Sequence, residues 1–308
     1  MKREETNSKL HLGMDIGSIS VNTVILNDRK EIIFDTYTWC HGRPFHMVMD
    51  ILKTLDSEYG LHTFSSLSFT GSGGRKVAEL TGGRFINEVI AQSASVSTLY
   101  PEVRTVIEMG GEDSKLIIME KDGNSTFSRL SDFSLNSLCA AGTGSFLDQQ
   151  AKRIGISIEN EFGSLAEKSV NPPRIAGRCS VFAKSDMIHL QQVATPLHDI
   201  VAGLCFAVAR NFKSTLGRGK KLEKPFIFQG GVAANSGMRR AFRETFELGE
   251  NELFVPERHA WKTRLPNIFK LFQGFFFEKS SCFVPTAQVA VLVHHPLEFV
   301  SVDRLPPA

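Results

Sequence analysis

The chain has 308 residues, of which 42% are apolar and 22% charged, and its formal net charge is +2. This composition is ordinary for a globular protein with a sizeable core, and the near-neutral charge without a basic block gives no case for nucleic acid. No apolar run approaches the roughly 20 residues of a membrane span, and the mixed charges of the tail 1–9 do not fit a signal peptide. Five cysteines, an odd number, do not suggest a secreted disulfide framework, so we expect a cytoplasmic protein with reduced thiols.

In chain order, the first hundred residues predict strands followed by helices. Alternating and β-branched apolar residues on either side of a turn at 27–30 indicate a β-hairpin within 10–39. Helical spacing follows in FHMVMDILKTLDSEYG (45–60), which ends at a glycine. The remaining elements of this part are a strand in 65–74, a helix in 75–83 and a helix near 88–99.

Residues 101–261 repeat this plan. A strand leads to a second glycine turn at 110–113, and two more strands follow, separated by a turn at 122–124. Further elements are expected as helices near 145–154, 180–192 and 197–217, a strand in 224–231 and a helix from about 236. Strands alternating with helices indicate an α/β fold with helices packed on mixed sheets. A plan used twice predicts two related lobes, 10–100 and 101–261, with a cleft between them.

The first glycine turn, in MDIGSIS, has the composition of a phosphate site. A strand ends at Asp15, and the turn holds Gly17, Ser18 and Ser20. Exposed backbone N–H groups in such a turn wrap an anionic phosphate, and glycine permits the close approach. A carboxylate at this place holds Mg²⁺ through water rather than binding phosphate itself.

Three further stretches offer similar donors: GGEDSK, TGSGGRK and GTGS. In FQGGVAAN a strand precedes Gly230 and Gly231, a place where a flat ring could lie against bare backbone. A single glycine turn is more often a plain β-turn, but several in one chain, two of them after a strand and an acid, favour nucleotide binding. GTGS also opens a helix, where the helix dipole favours anions. The residues expected to contact the nucleotide in these stretches are Gly71, Gly73, Gly110, Gly111, Asp113, Ser114, Lys115, Gly142, Thr143, Gly144, Gly230, Gly231 and Asn235.

Two cysteines have nearly matching surroundings, SLCAAGTGSFLDQQ (137–150) and GRCSVFAKSDMIHLQQ (177–192). Each comes at a glycine-containing turn ahead of an expected amphipathic helix. On spacing alone, two small buried thiols are an equally good interpretation, as for Cys205 within GLCFAVA. Structural zinc is a weaker competitor, because the chain has no C-x₂₋₄-C pair.

The order DxGS, GGxDSK, CAAGTGxFLD, GRCxVFAKSDMI and GGVAxN resembles the BadF/BadG/BcrA/BcrD-type ATPases over about residues 10–260. That family includes iron–sulfur activators of 2-hydroxyacyl-CoA dehydratases and ATP-driven subunits of benzoyl-CoA reductases. The resemblance implies the fold shared by sugar kinases, actin and the Hsp70 chaperones. It implies ATP in the cleft between the lobes, with Mg²⁺ near Asp15 and Asp113.

The resemblance also implies that Cys139 and Cys179 ligate one [4Fe–4S] cluster across a homodimer. The chemistry agrees, because a cubane takes four thiolates and a two-fold dimer supplies two from each chain. A helix N-terminus beside each thiolate would steady an anionic cluster.

Three departures from the family stand out. A lysine common after the first turn is replaced by Asn22, and a glutamine common in the second is replaced by Glu112. We expect Glu112 and Asp113 to act in ATP hydrolysis, with Glu112 positioning or deprotonating the attacking water. From Lys262 the tail 262–308 differs in composition, with no sustained helical or strand period.

The resulting hypothesis is an ATP-driven electron-transfer activator whose lobes reorient on ATP binding and hydrolysis. Its partners would be a second copy or a second ATPase unit, a CoA-ester dehydratase or reductase as acceptor, and a reductant such as ferredoxin or flavodoxin. One alternative is a sugar or N-acetylhexosamine kinase of the same fold without a cluster. Another is a nucleotide-dependent interaction protein with little turnover.

Overall fold

The computed structural model describes residues 9–29, 31–121, 123, 128–136 and 142–256. Cys139 and the tail 262–308 lie outside these ranges. We expect the tail to be poorly protected from hydrogen exchange, apart from 287–293, and this stays a prediction. The described residues up to Ala91 belong to one compact unit and those from Gln92 to a second. None of the helices within these ranges combines the length and apolar character needed to cross a bilayer.

The first unit is a five-stranded mixed sheet with the order β3-β2-β1-β4-β5. Strands β1 to β3 form an antiparallel meander, while β4 runs parallel to β1, and β5 parallel to β4. Every residue of β2 is buried, whereas the edge strand β3 is half exposed. The elements are β1 (Leu10–Ile16), β2 (Ser20–Leu26), β3 (Ile32–Trp39), α1 (Pro44–Tyr59), β4 (Phe64–Thr70), α2 (Gly74–Thr81), β5 (Arg84–Phe85) and α3 (Glu88–Leu99), the last of which contains the division between the units.

The second unit has a sheet of the same order, β10-β9-β6-β7-β8 read from the opposite edge. Again three strands form an antiparallel meander, and β9 runs parallel to the central strand β6. The elements are β6 (Thr105–Met109), β7 (Ser114–Lys121), β8 (Ser128–Asn136), α4 (Gly144–Ile154), α5 (Phe162–Glu167), α6 (Ser180–Gln192), α7 (Leu197–Thr215), β9 (Phe226–Gln229), α8 (Ser236–Thr245) and β10 (Leu253–Phe254). The repeated plan predicted from the sequence is therefore confirmed in the strand order of both sheets.

Helix α7 forms the centre of the second core. Every residue from Asp199 to Ala209 is buried, so this helix is covered on all sides, as helices that are apolar all round must be. Phe212 of α7 packs edge-on against Phe242 of α8, with ring centroids 5.4 Å apart. The sequence did not predict the two-residue strands β5 and β10 or the short helix α5, because elements this short carry no measurable periodicity.

In each sheet, a glycine with a positive φ follows the fourth strand in chain order. Gly71 follows β4 with φ +86°, and Gly230 follows β9 with φ +90°. A Cβ atom at Gly71 would lie 2.5 Å from the Ile16 carbonyl oxygen, and one at Gly230 would lie 2.3 Å from that of Met109. The chain therefore turns directly against the carboxyl end of the central strand, which only glycine permits.

This geometry predicts different effects for two adjacent glycines. Gly230→Ala should lower the free energy of unfolding by about 2 kcal/mol or more, because the strained φ and the backbone clash act together. Gly231→Ala should be nearly neutral, since a Cβ atom there would have nothing within 4 Å. Urea unfolding of both variants measures the difference, and equal stabilities would contradict the close approach.

Candidate functional site

The first glycine turn joins β1 to β2 and is closed by a hydrogen bond from the Gly17 amide to the Ser20 carbonyl, 2.9 Å. Asp15 is the last residue but one of β1, and it lies directly opposite Asn22 of β2. The Asn22 side-chain amide donates to the Asp15 carboxylate over 3.3 Å. Ser18 is exposed at the tip of the turn. The half-buried carboxylate therefore stands at the base of an exposed turn.

The loop after β4 packs against this turn. The Gly73 amide donates to the Ile16 carbonyl over 2.9 Å. A Cβ atom at Gly71 would lie 2.5 Å from Asp15 Oδ1 as well as against the backbone. The structure thus brings Asp15, Gly71 and Gly73 together beside the first turn, at the carboxyl ends of two parallel strands, where α/β sheets commonly bind ligands.

The second glycine turn, between β6 and β7, repeats the first. The Gly110 amide donates to the Asp113 carbonyl over 2.9 Å, as Gly17 does to Ser20. Counting from these bonds, Glu108 takes the place of Asp15, and Lys115 takes the place of Asn22. The turns are therefore equivalent in backbone and different in side chains.

Lys115 bridges two carboxylates in this second turn. Its Nζ lies 2.8 Å from Glu108 Oε2 and 2.5 Å from Asp113 Oδ2. Lys115 and Glu108 are both buried, so removing the Lys115 charge would deprive the buried Glu108 carboxylate of this cation, at a cost of about 3–5 kcal/mol. Asp113 is partly exposed and shares the ammonium.

This difference decides which carboxylate suits a magnesium ion. Mg²⁺ prefers carboxylate and water oxygens. Asp15 has a neutral amide at the opposite position of the hairpin, whereas Asp113 is already paired with an ammonium. The residues around Asp15 therefore fit Mg²⁺, and a metal at Asp113 would share its carboxylate with Lys115.

The GTGS loop orients the second turn. The Gly144 amide donates to the Gly110 carbonyl over 2.9 Å, and the Ser145 amide donates to the Gly111 carbonyl over 2.8 Å. The Ser145 hydroxyl donates to the same Gly111 oxygen. Two donors expected to face a phosphate thus hold the neighbouring turn instead.

The other residues expected in this loop lie beside it. Thr143 precedes the first residue of α4, in extended backbone. A Cβ atom at Gly142 would lie 2.8 Å from the side-chain amide of Asn136, so this loop runs close to the end of β8. Both residues are thus near the second turn.

Gly230 and Gly231 continue from β9 into a short 3-10 turn that ends at Ala234. Asn235 follows, and its side-chain oxygen accepts from the Met238 amide over 3.1 Å. This bond makes Asn235 the N-cap of α8, a role in helix stability that its residue type favours. Its contact with a nucleotide stays a prediction.

Ser114 begins β7 and is buried, while Glu112 is exposed at the tip of the second turn. Ser20, at the matching end of the first turn, is buried as well. Two further residues, Glu108 and Cys40, belong to these turns although they were not expected there. The signal for Glu108 is available in the sequence, since a hairpin through GGED places this acid opposite Lys115.

Cys179 is the N-cap residue of α6, and its carbonyl accepts from the Ala183 amide over 3.0 Å. The preceding segment is held firmly: the Ala176 amide donates to Asp186 of α6 over 2.8 Å. A Cβ atom at Gly177 would lie 2.2 Å from the Ala207 carbonyl oxygen, so this glycine lets the segment lie against α7. The thiol, free and partly exposed, stands at a fixed place at a helix N-terminus.

Besides the Asp186 carboxylate, two arginines contact this segment. Arg153 of α4 approaches the Ser180 carbonyl at 3.4 Å, and Arg210 of α7 approaches the Ile175 carbonyl at 3.5 Å. Burial, together with the neighbouring Arg174 cation, lowers the pKa of Arg210. A helix N-terminus favours negative charge, so the position of Cys179 before α6 suits a metal-bound sulfur.

Cys205 has the opposite setting. It lies in the middle of α7 with no exposed surface, and burial raises the pKa of its thiol to about 12. It packs within the second core. The expectation that Cys205 is an ordinary core residue is confirmed.

Helix α6 departs from the amphipathic pattern expected for it. Only Ala183 and Met187 are buried, whereas Val181 and Phe182 are 64% and 65% exposed. An amphipathic helix would bury its large apolar side chains on one face, but in the folded unit these two side chains point outward. Adjacent large apolar groups on a surface are typical of a place that another molecule covers.

Comparison with known proteins places these features in one family. The model of the BadF/BadG/BcrA/BcrD ATPase family matches residues 12–253. A 2-hydroxyisocaproyl-CoA dehydratase activator from Clostridioides difficile is 33% identical over 249 residues, which are 80% of this chain and 88% of that protein. The (R)-2-hydroxyglutaryl-CoA dehydratase activating ATPase of Acidaminococcus fermentans is 30% identical over 233 residues, or 76% of this chain and 86% of that protein.

A solved structure gives the same assignment. The activator of the 2-hydroxyisocaproyl-CoA dehydratase from Clostridium difficile, with bound ADPNP, has a TM-score of 0.69 and 30% identity, covering 85% of this chain and 93% of that one. Two mixed sheets flanked by helices are the fold of activator ATPases and of sugar kinases, actin and Hsp70. The chain belongs to the BadF/BadG/BcrA/BcrD ATPase family.

Proposed function

We propose that this chain is an ATP-dependent activator that delivers electrons to a partner dehydratase or reductase. The observation that carries the nucleotide part is the repeated turn, in which an acid two residues before a glycine ends the central strand of each sheet. The two relatives are named as a dehydratase activator and a dehydratase-activating ATPase, which supports the same role here.

The glycine turns are proposed to bind the phosphates of ATP. Their backbone N–H groups supply donors without adding bulk, and Gly71 and Gly73 let the loop after β4 lie close against Asp15 and Ile16 at the base of the first turn. Asp15 would hold Mg²⁺ through water, which neutralises the phosphate charge near the first turn. Lys115 would lend positive charge at the second turn, although it shares that charge with Glu108 and Asp113.

Glu112 and Asp113 are the residues proposed for hydrolysis. Glu112 is exposed at the tip of its turn, where a carboxylate can orient a water molecule. Asp113 stands beside Lys115, whose ammonium already pairs with the carboxylate. We therefore assign the water-positioning role to Glu112 and an electrostatic role to Asp113.

Cys139 and Cys179 are proposed as ligands of one [4Fe–4S] cluster that two copies of the chain share. When bound, such a cluster accepts and donates single electrons. The partly exposed thiol of Cys179 and its place at a helix N-terminus support this assignment for the described ligand. Val181 and Phe182, exposed on the first turn of the same helix, support a protein surface covering this place.

The proposed partners follow from that chemistry. The acceptor would be a 2-hydroxyacyl-CoA dehydratase or a related CoA-ester reductase, and the second copy could be replaced by another ATPase unit of the same family. Electrons would come from a low-potential carrier of the ferredoxin or flavodoxin class. The role of ATP would be to change the exposure and hydrogen bonding of the cluster, two properties that set its reduction potential.

The Asp15 assignment predicts a metal-dependent loss of affinity. Asp15→Ala should weaken binding of Mg²⁺-ATP at least about tenfold, while binding of metal-free ADP should change little, because the carboxylate acts through the metal. Asp15→Asn keeps the shape of the side chain and should show the same contrast. Calorimetry with both ligands measures it, and equal losses for both would make Asp15 a structural residue.

The cysteine assignment predicts an all-or-none loss of iron. Cys139→Ser or Cys179→Ser should each remove nearly all iron and sulfide from anaerobically purified protein, because either change deletes two of four ligands in a dimer. The wild-type protein should hold four irons per two chains and a charge-transfer absorbance.

Cys205→Ser is the matched control, since this thiol is buried in the core. It should lower stability and leave the iron content alone. A Cys179→Ser protein that keeps its cluster, or a monomer with four irons, would overturn the shared site. Colourless wild-type protein that still consumes ATP with a sugar present would favour the kinase alternative.

A further inference from the structure

Cys40 lies directly behind the first glycine turn, although it is 22 residues away from Ser18 in the chain. It follows the end of β3, and its side chain is 2% exposed. The Cys40 thiol donates to the Ser18 carbonyl over 3.0 Å and approaches the Gly17 carbonyl at 3.9 Å. The Cys40 amide donates to the Ile19 carbonyl over 2.9 Å. One residue thus contacts three consecutive carbonyl groups of the turn.

These contacts fix the direction of the amide groups on the other side of the turn. In a planar trans peptide the C=O and N–H bonds point in opposite directions. The Gly17 carbonyl shares its peptide with the Ser18 amide, and the Ser18 carbonyl shares its peptide with the Ile19 amide. With both oxygens directed at Cys40, the amides of Ser18 and Ile19 point away from it. Successive amides on one side form a concave site for an anion.

The second turn gives an independent comparison. Gly110 and Gly111 occupy the places of Gly17 and Ser18, because both turns are closed by the same backbone hydrogen bond. Their carbonyl oxygens are also held from behind, here by Gly144 and Ser145 at the start of α4. Each unit therefore anchors the two equivalent carbonyl oxygens of its own turn, the first unit with a thiol and the second with a loop.

The surroundings of Cys40 explain why a thiol serves here. Cys40 belongs to the apolar core of the first unit, together with residues such as Ile16 and Val21. A thiol packs as a small apolar group and still donates weakly, so it meets both demands of this place. A methyl group would fill the space and leave the carbonyl oxygens without a donor.

We propose that Cys40 is a positioning residue of the nucleotide site, holding the first turn so that its amides face the phosphates. This inference rests on the proposed binding of ATP. Loss of the thiol contacts would remove one restraint on the peptides of Gly17 and Ser18, and a rotated carbonyl oxygen would face the phosphate and repel it. Cys40 touches the turn and not the nucleotide, so its effect depends on the phosphates of the ligand.

The test compares ligands with and without phosphates in three variants. Cys40→Ala, which removes the thiol donor, should weaken binding of Mg²⁺-ATP roughly five- to twentyfold. This is the size expected when a rotated amide loses one hydrogen bond to a charged ligand. Binding of adenosine should not change. Cys40→Ser restores a donor and should recover part of the affinity. Cys205→Ala, the other buried thiol within the described residues, should leave ATP affinity unchanged.

Two results would overturn the inference: wild-type affinity of Cys40→Ala for Mg²⁺-ATP, or an equal loss for adenosine, which indicates general destabilisation. A crystal structure of ligand-free Cys40→Ala gives a readout that needs no nucleotide. We expect at least one of the two peptides to have rotated, and unchanged peptides would also overturn it. Wild-type protein that binds no ATP, with rotated peptides in the variant, would instead defeat the proposed function and keep the role of Cys40 in the turn.

Discussion

The close approach of two glycines to the central strands is the constraint on which the rest of the structure depends. Gly71 and Gly230 have positive φ values and lie against the carbonyl ends of β1 and β6. Because each parallel strand turns at that point, its following loop comes to lie beside the hairpin turn of the same unit. The acid, the turn and the loop are thus gathered at one edge of each sheet by backbone geometry, before any side chain contributes.

On this common backbone the two units have diverged in their charges. The first turn has Asp15 with the neutral amide of Asn22, whereas the second has Glu108 with the ammonium of Lys115. A buried ion pair suits a rigid turn, whereas the half-buried Asp15 carboxylate is the one that we propose for a metal ion. The repeated backbone thus carries a neutral amide beside the acid of the first turn and an ammonium beside the acid of the second.

Much of this arrangement could be predicted from the sequence, for physical reasons that also explain what could not. Long strands and helices show periodicity, and an acid before a glycine turn is visible in a few residues, as at Asp15. Contacts between distant parts of the chain leave no such pattern. Nothing in TWCHG indicates that Cys40 lies behind a turn 22 residues earlier, and the outward direction of Phe182 is set by the packing of α6 rather than by its sequence.

The outward direction of Val181 and Phe182 has a consequence for how the protein behaves in solution. Covering two such side chains is worth about 2–4 kcal/mol at the usual value for apolar surface, a large part of the energy that holds a modest complex together. Any association through these two side chains should thus vary with protein concentration and temperature. The same two side chains make the chain prone to adhere to other apolar surfaces, so detergent and dilution should reduce such contacts.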